Sequence, residues 1–381
     1  MPGALGRALS GRSLMKVCML SSVHPANDIR IVEKEARSLS EAGHAVTVVA
    51  RPPRPRDTGC IEFKLVELPE VARWKRPWVI GRAATALARS TGADIVQFHD
   101  PELILFALWL KSRGCKVIYD VHEDVPADIY SKKWIPRWMQ PLVAFGMELV
   151  ERSTARRFDA VVAATPTIAR RFRDYGAAVT LVRNSVRLDE FIEPTANTRR
   201  KRQAVYVGHA SFNRGLVEMV EACEAAQLPL ILVGNIGASE VDWLKRSSAN
   251  IVRRGKLGRA EIATLLNESL IGLCLYHNEP NHLHAMPTKI FEYMAAGVPI
   301  IVSDLPRSKE IVHAASCGFS VSLDDKKELA EKLSALADNP RWAVELGLAG
   351  RAAVARDFDW QRDAAELKKL YGELCSSRVA A

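Results

Sequence analysis

Short apolar runs alternate along this chain with longer segments in which apolar residues recur every three or four positions. The runs have strand length and are rich in Val and Ile, while the segments between them carry a helical period. Together they predict an α/β protein built on parallel sheets. In the first half the expected strands cover 17–20, 45–50, 95–98, 116–119 and 160–163, with a first crossover helix over 31–42 that ends at Gly43. A weak strand pair is expected near 63–68, after the proline-rich loop 52–55, and another strand ends near 183–185. The polar, basic stretch 193–202 has neither period and reads as a linker. The alternation then restarts, with strands expected over 204–207, 230–233, 251–253, 271–275, 298–302 and 318–321. A closing helix from about Trp360 carries Leu367, Leu370, Tyr371 and Leu374 on one face.

A chain of 381 residues is too long for one ordinary core. The expected division is a flexible leader 1–14, a Rossmann-like domain 15–192, a second Rossmann-like domain 193–358, and a C-terminal helix 359–381 that packs back on the first domain. A cleft is expected between the two domains. Ligands of such sheets sit beyond the carboxyl ends of the strands, so the loops there are where chemistry is sought.

Composition narrows the class. Hydrophobic residues make up 48% and charged residues 25%, which suits a folded globular chain. Seven cysteines stand singly without metal-ligand spacing, as buried small hydrophobes do in a reducing compartment. No apolar run approaches the ~20 residues of a membrane span. The first half holds 29 Lys and Arg against 21 Asp and Glu within residues 1–190, a net +8 of the chain's +9. That surplus could face an acidic substrate, anionic lipid or nucleic acid, and no element that reads nucleic acid is recognisable.

Candidate chemistry lies at strand ends. After the strand at 204–207, Gly208-His209-Ala210-Ser211-Phe212-Asn213-Arg214-Gly215 places two glycines around a basic residue, which suits close approach to an anion. Gly234 follows the next strand, either as an ordinary turn glycine or as backbone set against a base or ribose. In PTKIFEYMAAG (287–297) a helix start with free amides adjoins Lys289 and offers a phosphate site, with Thr288 in the turn and Glu292 one turn further in. In the first half, Gln97-Phe98-His99-Asp100-Pro101-Glu102 and Asp120-Val121-His122-Glu123-Asp124 each follow a buried strand, and polar clusters at two strand ends are typical of a site. Neither has the helical spacing of a zinc site, and His277, His282 and His284 read as polar loop chemistry, so no metal is expected.

These residues together resemble the retaining glycosyltransferases of the GT-B fold, family 4, over nearly the whole chain from Met15. The resemblance rests on VIYDVHEDVP, the loop Tyr206–Gly215, EYMAAGVPII with DLPRSKEIV after it, and FDW before the last helix. It implies transfer of a sugar from a nucleotide diphosphate sugar with retained anomeric configuration and no metal or other cofactor. The donor would lie on the second domain and the acceptor on the first. By position, Glu292 matches the ribose-binding second glutamate of Glu-x7-Glu, and Thr288 and Lys289 its diphosphate-facing turn. Arg214 stands at the lysine that neutralises the departing phosphates, and His122 at the histidine facing the donor sugar. His284 replaces the first glutamate, His209 replaces the usual arginine of the phosphate loop, and 24–30 replaces the Gly-Gly turn after the first strand.

Two tryptophan-bearing basic stretches, 73–78 and 132–138, suit the headgroup layer of an anionic membrane. The expected acceptor is a saccharide or a polyprenyl-linked saccharide, as in surface polysaccharide assembly. The expected location is cytoplasmic, peripheral on the inner face of the cell membrane. The alternative is a catalytically degenerate GT-B protein that binds a sugar nucleotide or a partner, motivated by His209 and His284. A nicotinamide-dependent dehydrogenase is a poor fit, since Ser21-Ser22-Val23-His24-Pro25 takes the place of its Gly-x-Gly-x-x-Gly turn.

Overall fold

The computed structural model describes residues 14–53, 60–66, 75–132, 134–279, 282–283 and 286–379. The chain forms two compact units, one running to Asn184 and resuming at Gln361, the other spanning Ser185–Trp360. The first unit holds a seven-stranded sheet in the order β3-β2-β1-β4-β5-β6-β7. Its strands are β1 (Lys16–Pro25), β2 (Ala45–Arg51), β3 (Glu62–Leu65), β4 (Ile95–Phe98), β5 (Lys116–Val121), β6 (Ala160–Ala163) and β7 (Val179–Leu181). The second holds six strands in the order β10-β9-β8-β11-β12-β13. These are β8 (Lys201–Val207), β9 (Leu230–Val233), β10 (Ile251–Arg253), β11 (Ser269–Cys274), β12 (Ile300–Ser303) and β13 (Gly318–Val321).

Every strand pairing within the two sheets is parallel. That explains the unbroken apolar runs: helices cover both faces, and β4, β6, β9, β11 and β12 are buried at every position. In the second unit, successive residues of one strand enter separate cores. Val205 and Val207 pack into one and Ala204 and Tyr206 into the other, as the two-residue strand period requires.

Some elements differ from the expectation. Instead of a strand pair near 63–68, one strand, β3, pairs with β2; residues 67 and 68 of that expected pair lie outside the described residues. The strand expected at 298–302 begins at Ile300, because Gly297 adopts a left-handed φ of 63° to close the preceding helix and Pro299 follows it. The first crossover helix begins at Ile29 and is wound as a π-helix to Ala36 before Arg37–Glu41 continues it. Asp28 caps it, its carboxylate accepting the Ile31 N–H at 3.0 Å.

The units divide between Asn184 and Ser185, upstream of the polar stretch. Val186 bridges to Asp359 and accepts the Trp360 N–H at 2.8 Å, and Val186 and Phe191 pack into the second unit's core. The last helix, Trp360–Val379, then contributes nearly all its length to the first unit. Leu367 and Tyr371 are fully buried there, and Lys116 donates to the Leu374 carbonyl at 2.6 Å.

Candidate functional site

In the second unit three chain segments converge around one lysine. The loop after β8 turns at Gly208, whose φ of 135° few side chains tolerate. A Cβ at Gly208 would stand 3.1 Å from the Lys289 Nζ, so glycine leaves the ammonium room against the backbone. The loop after β9 turns at Gly234, φ 117°, where a Cβ would meet the Gly208 carbonyl oxygen at 2.3 Å. The two loops therefore touch through bare backbone, tied by Gly208 N–H to the Val233 carbonyl (2.8 Å) and Ala210 N–H to the Asn235 carbonyl (2.9 Å).

Lys289 comes from the third segment, the helix Thr288–Ala295, which starts after Pro287 without a side-chain cap. At such a start the amides of the first turn lack α-helical partners, and a ligand can take them. The Lys289 side chain is buried, and no acceptor among the described residues bonds its Nζ. The ammonium lies 3.8 Å from the Tyr206 ring centroid and 5.4 Å from that of Tyr276. Burial lowers its pKa to about 8. Arg214 stands beside it, 5.8 Å above the Tyr276 ring, with Nη1 donating to the His209 carbonyl at 3.3 Å. Tyr206 donates to the same carbonyl at 2.9 Å, which fixes the backbone of His209 while its imidazole remains exposed. Two cations, a helix start and glycine-lined backbone are thus gathered in one nook, the chemistry that suits an anion.

Glu292 lies one turn along the same helix, half-buried. Its Oε1 is held at 2.5 Å by Arg259, whose Nε also reaches Glu190 Oε2 at 2.9 Å. Sequence reasoning missed Arg259 and Glu190, since neither sits in a recognisable motif. Thr288 is exposed at the helix start. His284 falls outside the described residues.

His122 belongs to the first unit. There its Nε2, the His99 Nδ1 and the Asp120 Oδ2 lie 3.1–3.2 Å from one another. Gln97 also donates to Asp120 Oδ2 at 3.0 Å, and Arg30 pairs with Oδ1 at 3.0 Å. Burial opposes the charge on Asp120, but Arg30 and the two histidines hold its carboxyl well below the usual range. Burial likewise lowers His122 to about 4, with Arg30 adding to the effect against the pull of Asp120. His122 is therefore a neutral imidazole at pH 7. Among the described residues this trio is the one His/Asp set that could hold a metal. The neighbouring guanidinium already supplies the counter-charge, so a hydrogen-bonded network accounts for the geometry without an ion.

The loop that replaces a Gly-Gly turn is pinned by Asp100. Its Oδ2 accepts from Ser21 Oγ and the Ser22 N–H, each at 2.7 Å, and His24 Nε2 lies 3.6 Å from Oδ1. Ser21, Ser22 and His24 stood in the sequence without a partner. Only the pairing of β1 with β4 brings Asp100 to them.

Residues 30–190 match the Glycosyltransferase Family 4 family, and residues 199–369 match a glycosyl transferase-like family. A glycogen synthase of Mycobacterium tuberculosis is 24% identical over 305 residues, 74% of this chain and 69% of that protein. A GDP-mannose:cellobiosyl-diphosphopolyprenol alpha-mannosyltransferase of Xanthomonas campestris is 23% identical over 295 residues, 73% of this chain and 74% of that protein. Among solved structures, a sucrose-phosphate synthase of Thermosynechococcus elongatus superposes with a TM-score of 0.72 at 18% identity, covering 95% of this chain and all of that one (100%). HepE of Anabaena, in complex with UDP and glucose, gives 0.67 at 13% identity over 93% of this chain and 98% of its own.

Proposed function

We propose, from the premise that this chain belongs to the GT-B glycosyltransferases, with a Glycosyltransferase Family 4 region in its first half, that the nook around Lys289 binds the diphosphate of a nucleotide sugar. The observation that carries this reading is the buried Lys289 ammonium, which has no acceptor among the described residues. Such a charge is costly to bury and an anion offsets that cost. Arg214 and the amides at Thr288 would add to it, and Glu292 would meet the ribose with the carboxylate oxygen that Arg259 leaves open.

Departure of a nucleoside diphosphate develops negative charge that fixed cations stabilise best in a water-poor site. Lys289 and Arg214 supply that charge, which supports transfer without a metal ion. We favour front-face attack by the acceptor hydroxyl with retained configuration, a route that needs no carboxylate nucleophile. The departing phosphate would take the hydroxyl proton. His122, neutral and fixed by Asp120, would orient the hexosyl group, and a saccharide or polyprenyl-linked saccharide would bind on the first domain. The Xanthomonas relative is named for a diphosphopolyprenol acceptor, which fits this choice. No described helix is long and apolar enough to cross a membrane, and exposed Trp78, Trp134 and Trp138 support peripheral attachment at an anionic bilayer.

Transfer from labelled UDP-, GDP-, ADP- and dTDP-sugars to a polyprenyl-diphosphate saccharide, with excess EDTA, tests the reading. Turnover with at least one donor is expected, reduced roughly a hundredfold or more in Lys289→Ala and Arg214→Ala. Donor binding with no transfer to any acceptor would instead indicate a binding protein that has lost catalysis.

A further inference from the structure

The helix Gln140–Thr154 is apolar on both sides. Its inner face packs through Ala144 against Ile129 and Ile135, in a small cluster apart from the main core. Glu151 anchors its far end, accepting the Tyr119 hydroxyl at 3.1 Å and pairing with Arg171 at 3.1 Å. The opposite face should be polar if it met only water. Instead Leu142 is 68% exposed, Phe145 64% and Leu149 56%, and Trp138 in the preceding turn is 79% exposed. Spacings of three and four residues put the three helical residues on one stripe. Trp134 (63%) and Tyr130 (55%) extend the apolar surface along the turn that packs beneath the helix. A surface stripe of this size marks an interaction site.

Charge selects the occupant. Residues 128–157 carry six Lys and Arg against two Glu and Asp128, which pairs with Lys132, a net +3. Both glutamates are engaged, Glu148 by the Tyr175 hydroxyl at 3.1 Å and Glu151 as above. A second copy of this chain would set the same positive segment against itself, on a protein of net charge +9. An anionic bilayer offers the complementary charge, an apolar layer for leucine and phenylalanine, and a headgroup zone where Trp and Tyr are favoured. We propose that Gln140–Thr154 is an in-plane docking helix. It inserts Leu142, Phe145 and Leu149 into the acyl boundary of an anionic membrane, with Trp134 and Trp138 at headgroup level. This deepens the peripheral reading above and rests on it, extending the contact from the tryptophan stretch 132–138 onto the face of the helix that follows.

The test is co-sedimentation with phosphatidylglycerol–phosphatidylcholine vesicles. Wild type is compared with Leu142→Gln/Phe145→Gln/Leu149→Gln, whose exposed positions should leave the circular dichroism melt unchanged. Wild type should bind in a salt-sensitive way, with brominated lipid quenching its tryptophan fluorescence. The triple variant should bind roughly ten- to a hundredfold more weakly. Equal binding by both proteins would overturn the helix assignment while leaving peripheral attachment standing. No binding by wild type would overturn both. A wild-type dimer that the triple variant splits, seen by sedimentation equilibrium, would assign the stripe to a second copy and overturn the proposal.

Discussion

At the scale of single residues, the decisive feature is a lysine held where lysines are rarely held. Burial depresses Lys289 to about 8, so its charge is conditional near neutral pH. In the proposed site a bound diphosphate would need the ammonium. Donor affinity should therefore be level below pH 8 and fall up to tenfold per pH unit above it, as calorimetry across pH 6.5–9.5 would measure. The unfolded chain holds that proton more tightly, so the unliganded protein should gain stability as pH rises from about 8 toward the ordinary lysine value. A different constraint acts at Gly234. Its left-handed backbone lies against the Gly208 carbonyl, which cannot rotate away as a side chain would. Gly234→Ala should cost about 3 kcal/mol in a denaturant melt. Lys289 and Gly208 were readable in the sequence because a helix start and a glycine loop have local signatures. The Arg259 grip on Glu292 was not, since the two lie 33 positions apart and meet only in the packed fold.

Elements were legible where they were buried and regular. The strands at 95–98, 160–163 and 230–233 stand where the apolar runs put them, since a strand covered on both faces has no polar position to blur its ends. The short edge strand β7 had no such contrast, and all three of its residues are only partly buried. The π-winding at Ile29–Ala36 was also hidden. It carries Arg30, Lys34 and Glu35 into the interior, a burial that no hydrophobic period announces. Inside the first unit the last helix is fastened by chemistry as well as packing, because Tyr371 donates to Gln97 Oε1 at 2.8 Å in a fully buried setting. Gln97 in turn donates to Glu35 at 2.8 Å and to Asp120. Tyr371→Phe would leave that amide oxygen without its donor. It should destabilise the first unit by about 1–3 kcal/mol in thermal unfolding, with donor binding by the second unit unchanged.

At the scale of the whole molecule, each of the two units gathers its own polar cluster around a parallel sheet. The second unit gathers cations, glycine backbone and a helix start. The first gathers histidines and carboxylates around Asp120. The sequence set His99 and His122 at two strand ends but did not show their joint hold on Asp120 with Arg30, because these groups come from the ends of β4 and β5 and from the helix Ile29–Ala36 and meet only in the packed fold. The most direct test of the account is isothermal titration of the full-length protein with UDP, GDP, ADP and dTDP, run in parallel with Lys289→Ala. One nucleoside diphosphate should bind with 1:1 stoichiometry and lose tenfold or more of its affinity in the variant. If none of the four binds, or if Lys289→Ala binds as tightly as wild type, the diphosphate site is not where we place it.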